Sequence, residues 1–302
     1  MTERWACPVC GSRDGVPSWR AAPDRTEEGV DPAAFRPSSE RFGRTAGLVL
    51  RCPACGHRAL ARTPPPDAMA AAYRDASDEV SLREEAGQVE TARRDLRSIE
   101  RFVEPGGMLD VGCWTGSFLV AGRERGWEPA GVEPSTWASD RARSRGVDVR
   151  TGELADHGVA PGTLRLVALR DVIEHLADPR EAIATVGELL EPGGAVFVAT
   201  PDAGSRVARV LGRQWWSVLP MHVQYFTRDS LCGLLAQHGF RVRSIGTHPK
   251  VFSARYYAER LGGYGAVLER IAVGAVSRIG APERLVAPDF RDRMAVIATR
   301  ER

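Results

Sequence analysis

Apolar and polar positions divide the chain into two unlike parts. From residue 105 onward, short apolar runs alternate with stretches where apolar residues recur every three or four positions. That alternation is the mark of βαβ units. Strands are predicted at Met108–Val111, Ala130–Glu133, Val147–Arg150, Leu164–Arg170, Ala195–Thr200, Phe240–Ile245 and Met294–Thr299. Helices are predicted at Phe118–Arg125, Thr136–Ser144, Pro179–Leu190 and Thr227–Gln237. Parallel strands need a crossover connection, usually a helix, so a doubly wound α/β domain follows. Upstream, from Asp67 to Val103, Met69 and Tyr73 and then Val89, Ala92, Leu96, Ile99 and Val103 fall at helical spacing, and Pro105-Gly106-Gly107 ends the run. Tyr264, Val267, Leu268, Ile271, Ala275 and Ile279 repeat that spacing inside the stretch Val251–Val286, with Gly274 weakening the helix. A core-facing helix, a dimer face and a cap over a ligand pocket all fit it.

Residues 1–62 have no sustained period. They are bracketed by two near-identical turns, Cys7-Pro-Val-Cys10-Gly and Cys52-Pro-Ala-Cys55-Gly, and Pro64-Pro65-Pro66 separates them from the rest. A Cys-x-x-Cys turn supplies two thiolates from one tight bend, and two such turns complete a tetrahedral zinc sphere. Four cysteines leave no open position, so the metal would be structural. The gap of about forty residues between the turns exceeds the usual ~15–20, and His57 offers an alternative ligand. Free thiols or a redox pair are the other reading. The expected organisation is a zinc-ribbon-like module over 1–62, a helical linker or lid over 63–104, and the α/β domain over 105–302 with an insertion at about 250–286.

Composition narrows the function. The 302 residues are 43% hydrophobic with a formal net charge of +2. Lys250 is the only lysine, and the arginines are scattered among acids, so no basic nucleic-acid footprint is evident. No window resembles a membrane span, and the N-terminal residues form no apolar signal core. A cytoplasmic location is the expectation, and with six cysteines the chain does not read as a disulfide scaffold.

Leu109-Asp-Val-Gly-Cys-Trp-Thr-Gly-Ser-Phe118 reads as a strand end, a glycine-rich turn and a helix start, where free N–H groups meet a ligand. About twenty residues on, Glu133 ends the second strand, placed to accept hydrogen bonds from two ribose hydroxyls. These features alone permit NAD, FAD or S-adenosylmethionine. Cys113 and Cys232 read as core or near-cofactor residues.

The phrases LDVGCWTGSFL, GVEPS, DVIEHLADP, LLEPGGAVFVATP and HVQYFTRDSLCGLLAQHGF, in order over about residues 67–300, resemble the class I S-adenosylmethionine-dependent methyltransferases. The resemblance implies a Rossmann-like sheet of seven strands with the last antiparallel. It implies that Gly112 and Gly116 cradle the methionyl part, that Asp110 supports the turn, that Glu133 holds the ribose and that Glu153 meets the adenine amino group. A helix cap is the plainer reading of Glu153. Two departures stand out: Trp114 replaces a frequent second glycine, and Arg165 replaces an aspartate common at the start of the fourth strand.

After the fourth strand stands Asp171-Val-Ile-Glu174-His175 where enzymes acting on planar amino groups often carry an Asn/Asp-Pro-Pro-aromatic motif. This favours an acceptor that must lose a proton, a hydroxyl or an acidic carbon. Glu-His here is similar to ubiquinone-pathway O-methyltransferases, the plant small-RNA 2′-O-methyltransferase and deoxysugar C-methyltransferases. The sugar enzymes also have an N-terminal zinc-binding module, and usually a further C-terminal domain not present in this sequence. His175 is read as the base, Glu174 as its partner, and His222 as a second imidazole reaching the same pocket. Asp171 borders the cofactor site, and Asp171, Glu174, His175 and His222 together also suit a magnesium or manganese ion, as in the quinone and small-RNA enzymes. A helix-capping role for His175 is the plain reading. The expected function is methylation of a small molecule, a secondary metabolite or sugar; a homodimer is one assembly that fits, and the sequence does not fix the oligomeric state. An RNA methyltransferase using the cysteine module as its platform, or a non-catalytic cofactor binder, are the other readings.

Overall fold

The computed structural model describes residues 5–19, 22–23, 39 and 41–301. Among the described residues the cysteine-rich part holds five short strands: β1 (Val16–Pro17), β2 (Ala22–Pro23), β3 (Arg44–Thr45), β4 (Val49–Arg51) and β5 (Arg58–Leu60). The predicted helical run is three helices, α1 (Pro66–Arg74), α2 (Glu79–Arg83) and α3 (Glu85–Ile99). Asp78 breaks it: its backbone is extended and its carboxylate accepts hydrogen bonds from the N–H groups of Val80 and Ser81.

The main domain then alternates as expected through β6 (Gly107–Val111), α4 (Ser117–Glu124), β7 (Glu128–Glu133), α5 (Thr136–Ser144) and β8 (Asp148–Thr151). It continues through β9 (Leu164–Arg170), α6 (Pro179–Leu189), β10 (Leu190–Pro201), α7 (Arg206–Leu211) and β11 (Gln224–Tyr225). The remaining elements are α8 (Arg228–Gln237), β12 (Phe240–Thr247), β13 (Phe252–Ser253), α9 (Ala254–Glu259), α10 (Ala266–Arg278), β14 (Leu285–Val286) and β15 (Arg293–Arg300). Seven strands form one sheet in the order β12-β15-β10-β9-β6-β7-β8, with β15 antiparallel to both neighbours. The sheet is Rossmann-like with its last strand antiparallel, as expected. Alternate residues of its central strands feed two cores: Leu109, Val167, Leu169 and Val196 on one face, Met108, Leu166, Ala168 and Phe197 on the other. Burial on both faces explains why these strands read as apolar runs rather than alternating ones.

β6 and β9 are neighbours in the middle of the sheet, and the chain leaves them toward opposite sides. A crevice therefore opens beyond their C-terminal ends, where Gly112 and Asp171 stand. The cysteine-rich sheet, ordered β1-β4-β5-β11, takes its last strand from the segment after β10. Nothing in the residue pattern announces that strand, since two residues are too few to show a period.

α10 departs from a core-facing helix. It packs on α9 and the short turn at Arg260–Tyr264, none of its residues is buried, and Ile279 just beyond it is 79% exposed. Among the described residues no helix is long and apolar enough to cross a membrane.

Candidate active site

The two cysteine turns close on each other. Cys7 Sγ lies 3.6 Å from Cys55 Sγ, and Cys10 Sγ lies 3.6 Å from Cys52 Sγ, with all four sulfurs within 4.8 Å. Tetrahedral zinc with Zn–S bonds of ≈ 2.3 Å requires sulfurs roughly 3.8 Å apart. The donor set and its spacing fit the ion. Gly11 and Gly56 end the two turns with φ of 74° and 76°, a left-handed backbone that favours glycine. The alternative ligand His57 is engaged elsewhere: its Nε2 meets Gln224 Oε1 at 2.8 Å, and burial lowers its pKa to about 4. Gln224 in turn donates to the carbonyls of Leu176 and Ala177. The cysteine module is thereby strapped to the loop that directly follows His175.

One cavity of about 930 Å³ runs from the glycine turn to the end of β9, bordered by Asp110, Gly112, Cys113, Glu133, Glu153, Asp171, Glu174, His175 and His222. Gly112 has φ +63°, and a Cβ there would meet Val172 Cγ2 at 2.7 Å. Gly116 also needs a left-handed backbone, at φ +78°, but it does not border the cavity; a Cβ there would press on Ala142 and Val147. Its glycine is thus explained by helix packing as well as by the turn. Trp114 holds φ +49° despite its side chain. The conformation, costing roughly 1–2 kcal/mol, is held by its N–H on Glu133 Oε2 at 2.8 Å and its Nε1 on Ser81 Oγ at 3.0 Å.

Glu133 is buried, with Oε2 accepting from Trp114 N–H and Oε1 from Ser135 N–H. Burial raises its pKa to about 7, against the pull of those two N–H groups. Each oxygen keeps a lone pair for a ligand hydroxyl. Asp110 is likewise pushed up to about 7 by burial, and its Oδ1 has no partner among the described residues. A buried, orphaned carboxylate oxygen on the cavity wall suits the ammonium of a bound amino acid moiety. Glu153 lies exposed at the rim, opening the short turn Leu154–Asp156, where its own N–H donates to Asp156 Oδ2.

At the other end, two imidazoles stand edge to face with ring centres 4.8 Å apart. His175 Nδ1 is 3.1 Å from the Met221 carbonyl, and His222 Nδ1 is 2.8 Å from the Ser217 carbonyl. A carbonyl only accepts, so each Nδ1 carries the proton and each Nε2 is left with a lone pair. Burial lowers the pKa of His175 to about 4 and that of His222 well below its usual value. Both rings are neutral near pH 7. Glu174 accepts from Thr200 Oγ1 through Oε2, and its buried Oε1 has no partner among the described residues. Burial, then the charge of Asp171, raises it to about 7.

Glu174, His175 and His222 present ligand atoms within 4.8 Å of one another, a set that fits a divalent ion; Asp171 is outside it. Both carboxylate oxygens of Asp171 are taken, one by Lys250 and one by Arg293. Against burial, those two charges hold Asp171 well below the usual carboxylate range. This corrects its assignment to the four-residue metal set. Asp171 also has φ +58°, a strained conformation for a side-chain-bearing residue at a strand end.

Three wall residues carried no motif. Tyr73, on α1, sits with its ring 5.8 Å from His175, under the influence of both Glu174 and Glu133. Lys250 and Arg293 lie far along the chain, and only the solitary lysine left a trace in the sequence.

A family model described as a methyltransferase domain matches residues 83–245. A C-methyltransferase named NovU, from Streptomyces niveus, is 30% identical over 210 residues, covering 66% of this chain and 47% of that protein. A ubiquinone biosynthesis O-methyltransferase from Aeromonas salmonicida is 25% identical over 156 residues, covering 47% of this chain and 66% of that protein. The matched part thus spans about half to two thirds of these relatives. A crystal structure of a SAM-dependent methyltransferase from Archaeoglobus fulgidus superposes with a TM-score of 0.51 at 20% identity, covering 74% of this chain and 100% of that one. With its matching domain, its strand order and its glycine turn, this chain belongs to the methyltransferase-domain family.

Proposed function

We propose that this chain transfers a methyl group from S-adenosylmethionine to a hydroxyl or acidic carbon of a small molecule. The observation that carries the reading is the single cavity joining the Glu133 turn to the His175–His222 pair. Asp110 would take the ammonium, Gly112 would let the methionyl part approach the backbone, Glu133 would hold the ribose, and Glu153 at the rim would face the adenine. Bound S-adenosylmethionine supplies a sulfonium methyl that leaves by in-line displacement. The protein's work is to fix the acceptor in line and remove its proton. His175 is suited to taking that proton, being neutral at pH 7, with its tautomer fixed by the Met221 carbonyl and Nε2 free to accept. Tyr73 and His222 pack edge to face against its ring.

A second reading, a magnesium or manganese ion on Glu174, His175 and His222, has a specific observation behind it. Histidines that bind metals usually donate their other N–H to a carbonyl, as both do here. Against it, Lys250 and Arg293 place two positive charges at Asp171, next to the space a cation would fill. The base is therefore the preferred reading. The test is methyl transfer from labelled S-adenosylmethionine to a panel of phenols, carbon acids and sugars, with and without chelator. No product from any acceptor, together with no S-adenosylmethionine binding, would remove the proposal.

The same reading gives Cys7, Cys10, Cys52 and Cys55 a structural zinc, a tetrahedral clamp that holds the two turns together. Metal analysis is expected to give about one zinc per chain, and Cys52→Ser to lower it and the melting temperature. Because β5 pairs with β11 and Gln224 braces the loop after His175, that variant should also lose turnover. A zinc-free wild type after metal-replete expression would refute the assignment. A homodimer, with α10 as the contact face, completes the reading; light scattering decides it.

A further inference from the structure

Lys250 is the only lysine among the 41 Lys and Arg residues, and it stands on the wall of the acceptor end of the cavity. Its ammonium has three N–H donors, and Asp171 is its one hydrogen-bond partner among the described residues. Each arginine bordering the cavity already serves an acceptor, although Arg293 Nε is buried without a partner among the described residues. Arg170 donates to Asp95 at 3.2 Å, Arg293 holds Asp171 with Glu174 and Asp292 around it, and Arg260 donates to the Ser39 carbonyl while covering the Phe42 ring. One compact cation with spare donors matches one oxyanion. A diphosphate, as in a sugar nucleotide, would need several.

The wall beside Lys250 is a chain of rings. Phe252 and Tyr256 are 4.4 Å apart, Tyr256 and Tyr257 5.8 Å, Tyr257 and Phe290 6.2 Å, and Phe290 and Trp216 5.7 Å. All five rings border the cavity, and Phe290 is 49% exposed. The wall is also rigidly held. Val251 N–H donates to Thr91 Oγ1 at 2.8 Å, the Ser253 N–H and hydroxyl both donate to the Glu84 carboxylate at 2.7 Å, and Tyr257 OH donates to the Lys250 carbonyl at 2.7 Å. At Gly87 a Cβ would lie 2.3 Å from the Val251 carbonyl oxygen, so α3 and this segment are in backbone contact.

We infer that the acceptor is an aromatic molecule with a single acidic oxygen, phenolic or carboxylic, its ring against this wall and its oxygen on Lys250. The inference rests on the methyl-transfer reading only for the word acceptor. A pre-built aromatic face with one fixed charge takes a flat amphiphile at low ordering cost.

The experiment titrates the full chain, with and without S-adenosylhomocysteine, with 2-naphthoate, 2-naphthol, 2-naphthalenemethanol and thymidine diphosphate, following binding by calorimetry. At least one of the two acidic naphthalenes should bind about tenfold or more tightly than the alcohol and the diphosphate; which one it is separates carboxylate from phenol. Lys250→Met should weaken that acid about tenfold and leave the alcohol unchanged, with S-adenosylhomocysteine affinity retained. Phe290→Ala, at a half-exposed position that tolerates truncation, should weaken the three naphthalenes alike. Tighter binding of thymidine diphosphate, or acid binding in Lys250→Met equal to wild type, would overturn the inference. Should Lys250→Met fail to fold, the wild-type ranking and Phe290→Ala still decide it. Lys250-dependent acid binding without any S-adenosylhomocysteine binding would keep this site and remove the methyl-transfer reading; the reverse pattern would remove this inference alone.

Discussion

Replacing His175 with alanine should cut turnover by ~10²-fold or more while S-adenosylmethionine affinity stays within about twofold. The ring lies at the acceptor end of the cavity, away from Glu133, so its loss removes proton transfer without touching the ribose. His222→Ala should cost less, because in this reading His222 packs edge to face on His175 and does not itself take the proton. Chelator separates the two chemistries of this cluster. A base leaves the wild-type rate unchanged in chelator, whereas a rate abolished by chelator and restored by magnesium would transfer the roles of Glu174, His175 and His222 to metal ligation. If both histidine variants turn over normally, neither chemistry operates, and positioning alone accounts for catalysis.

The second large effect belongs to Glu133. Glu133→Ala should weaken S-adenosylmethionine by roughly ten- to a hundredfold, since it removes a buried carboxylate that both ribose hydroxyls would address. The wild type should also show a pH signature. Glu133 titrates at about 7 in the free protein because burial penalises its charge. Ribose hydroxyls donate to the ionised form and so lower that pKa in the complex. Binding then requires loss of a proton below pH 7, and affinity should fall as the pH drops through about 7, by up to tenfold per unit. The effect on the free protein has the opposite sense. A carboxyl whose folded pKa is raised contributes stability that is fully present below its unfolded value, ~4.3, and lost as the pH rises through about 7. Glu133→Gln should make both curves shallower, the remaining slope coming from Asp110 and Glu174, which burial also raises to about 7. Calorimetric titrations at three pH values suffice, and a pH-independent wild-type affinity would show that Glu133 does not meet the ribose.

Some of this molecule is written locally in the chain. The βαβ alternation, the glycine turn with Glu133 about twenty residues on, and the two Cys-x-x-Cys turns each depend on a few adjacent residues with a fixed conformational or chemical preference. Thr136–Ser144 and Leu164–Arg170 match the predicted elements residue for residue. The break at Asp78 is also local, an N-cap inside a helical run, but the apolar period on either side masks it.

What the sequence could not determine depends on partners distant along the chain. Periodicity in α10 predicts an apolar face, but whether that face meets a core or solvent depends on what packs there; among the described residues it packs mainly on α9 and the neighbouring turn, and none of its residues is buried. Asp171 sits in a motif compatible with metal ligands, yet Lys250 and Arg293, from beyond β12 and from β15, occupy both its oxygens. Gln224 joins the cysteine module to the His175 loop across 167 positions, from His57. A residue's type and near neighbours set its conformation and its range of possible chemistry. Which charge stands beside it, and so which of those chemistries is open to it, is decided only when the sheet brings the ends of β9, β10 and β15 to one cavity.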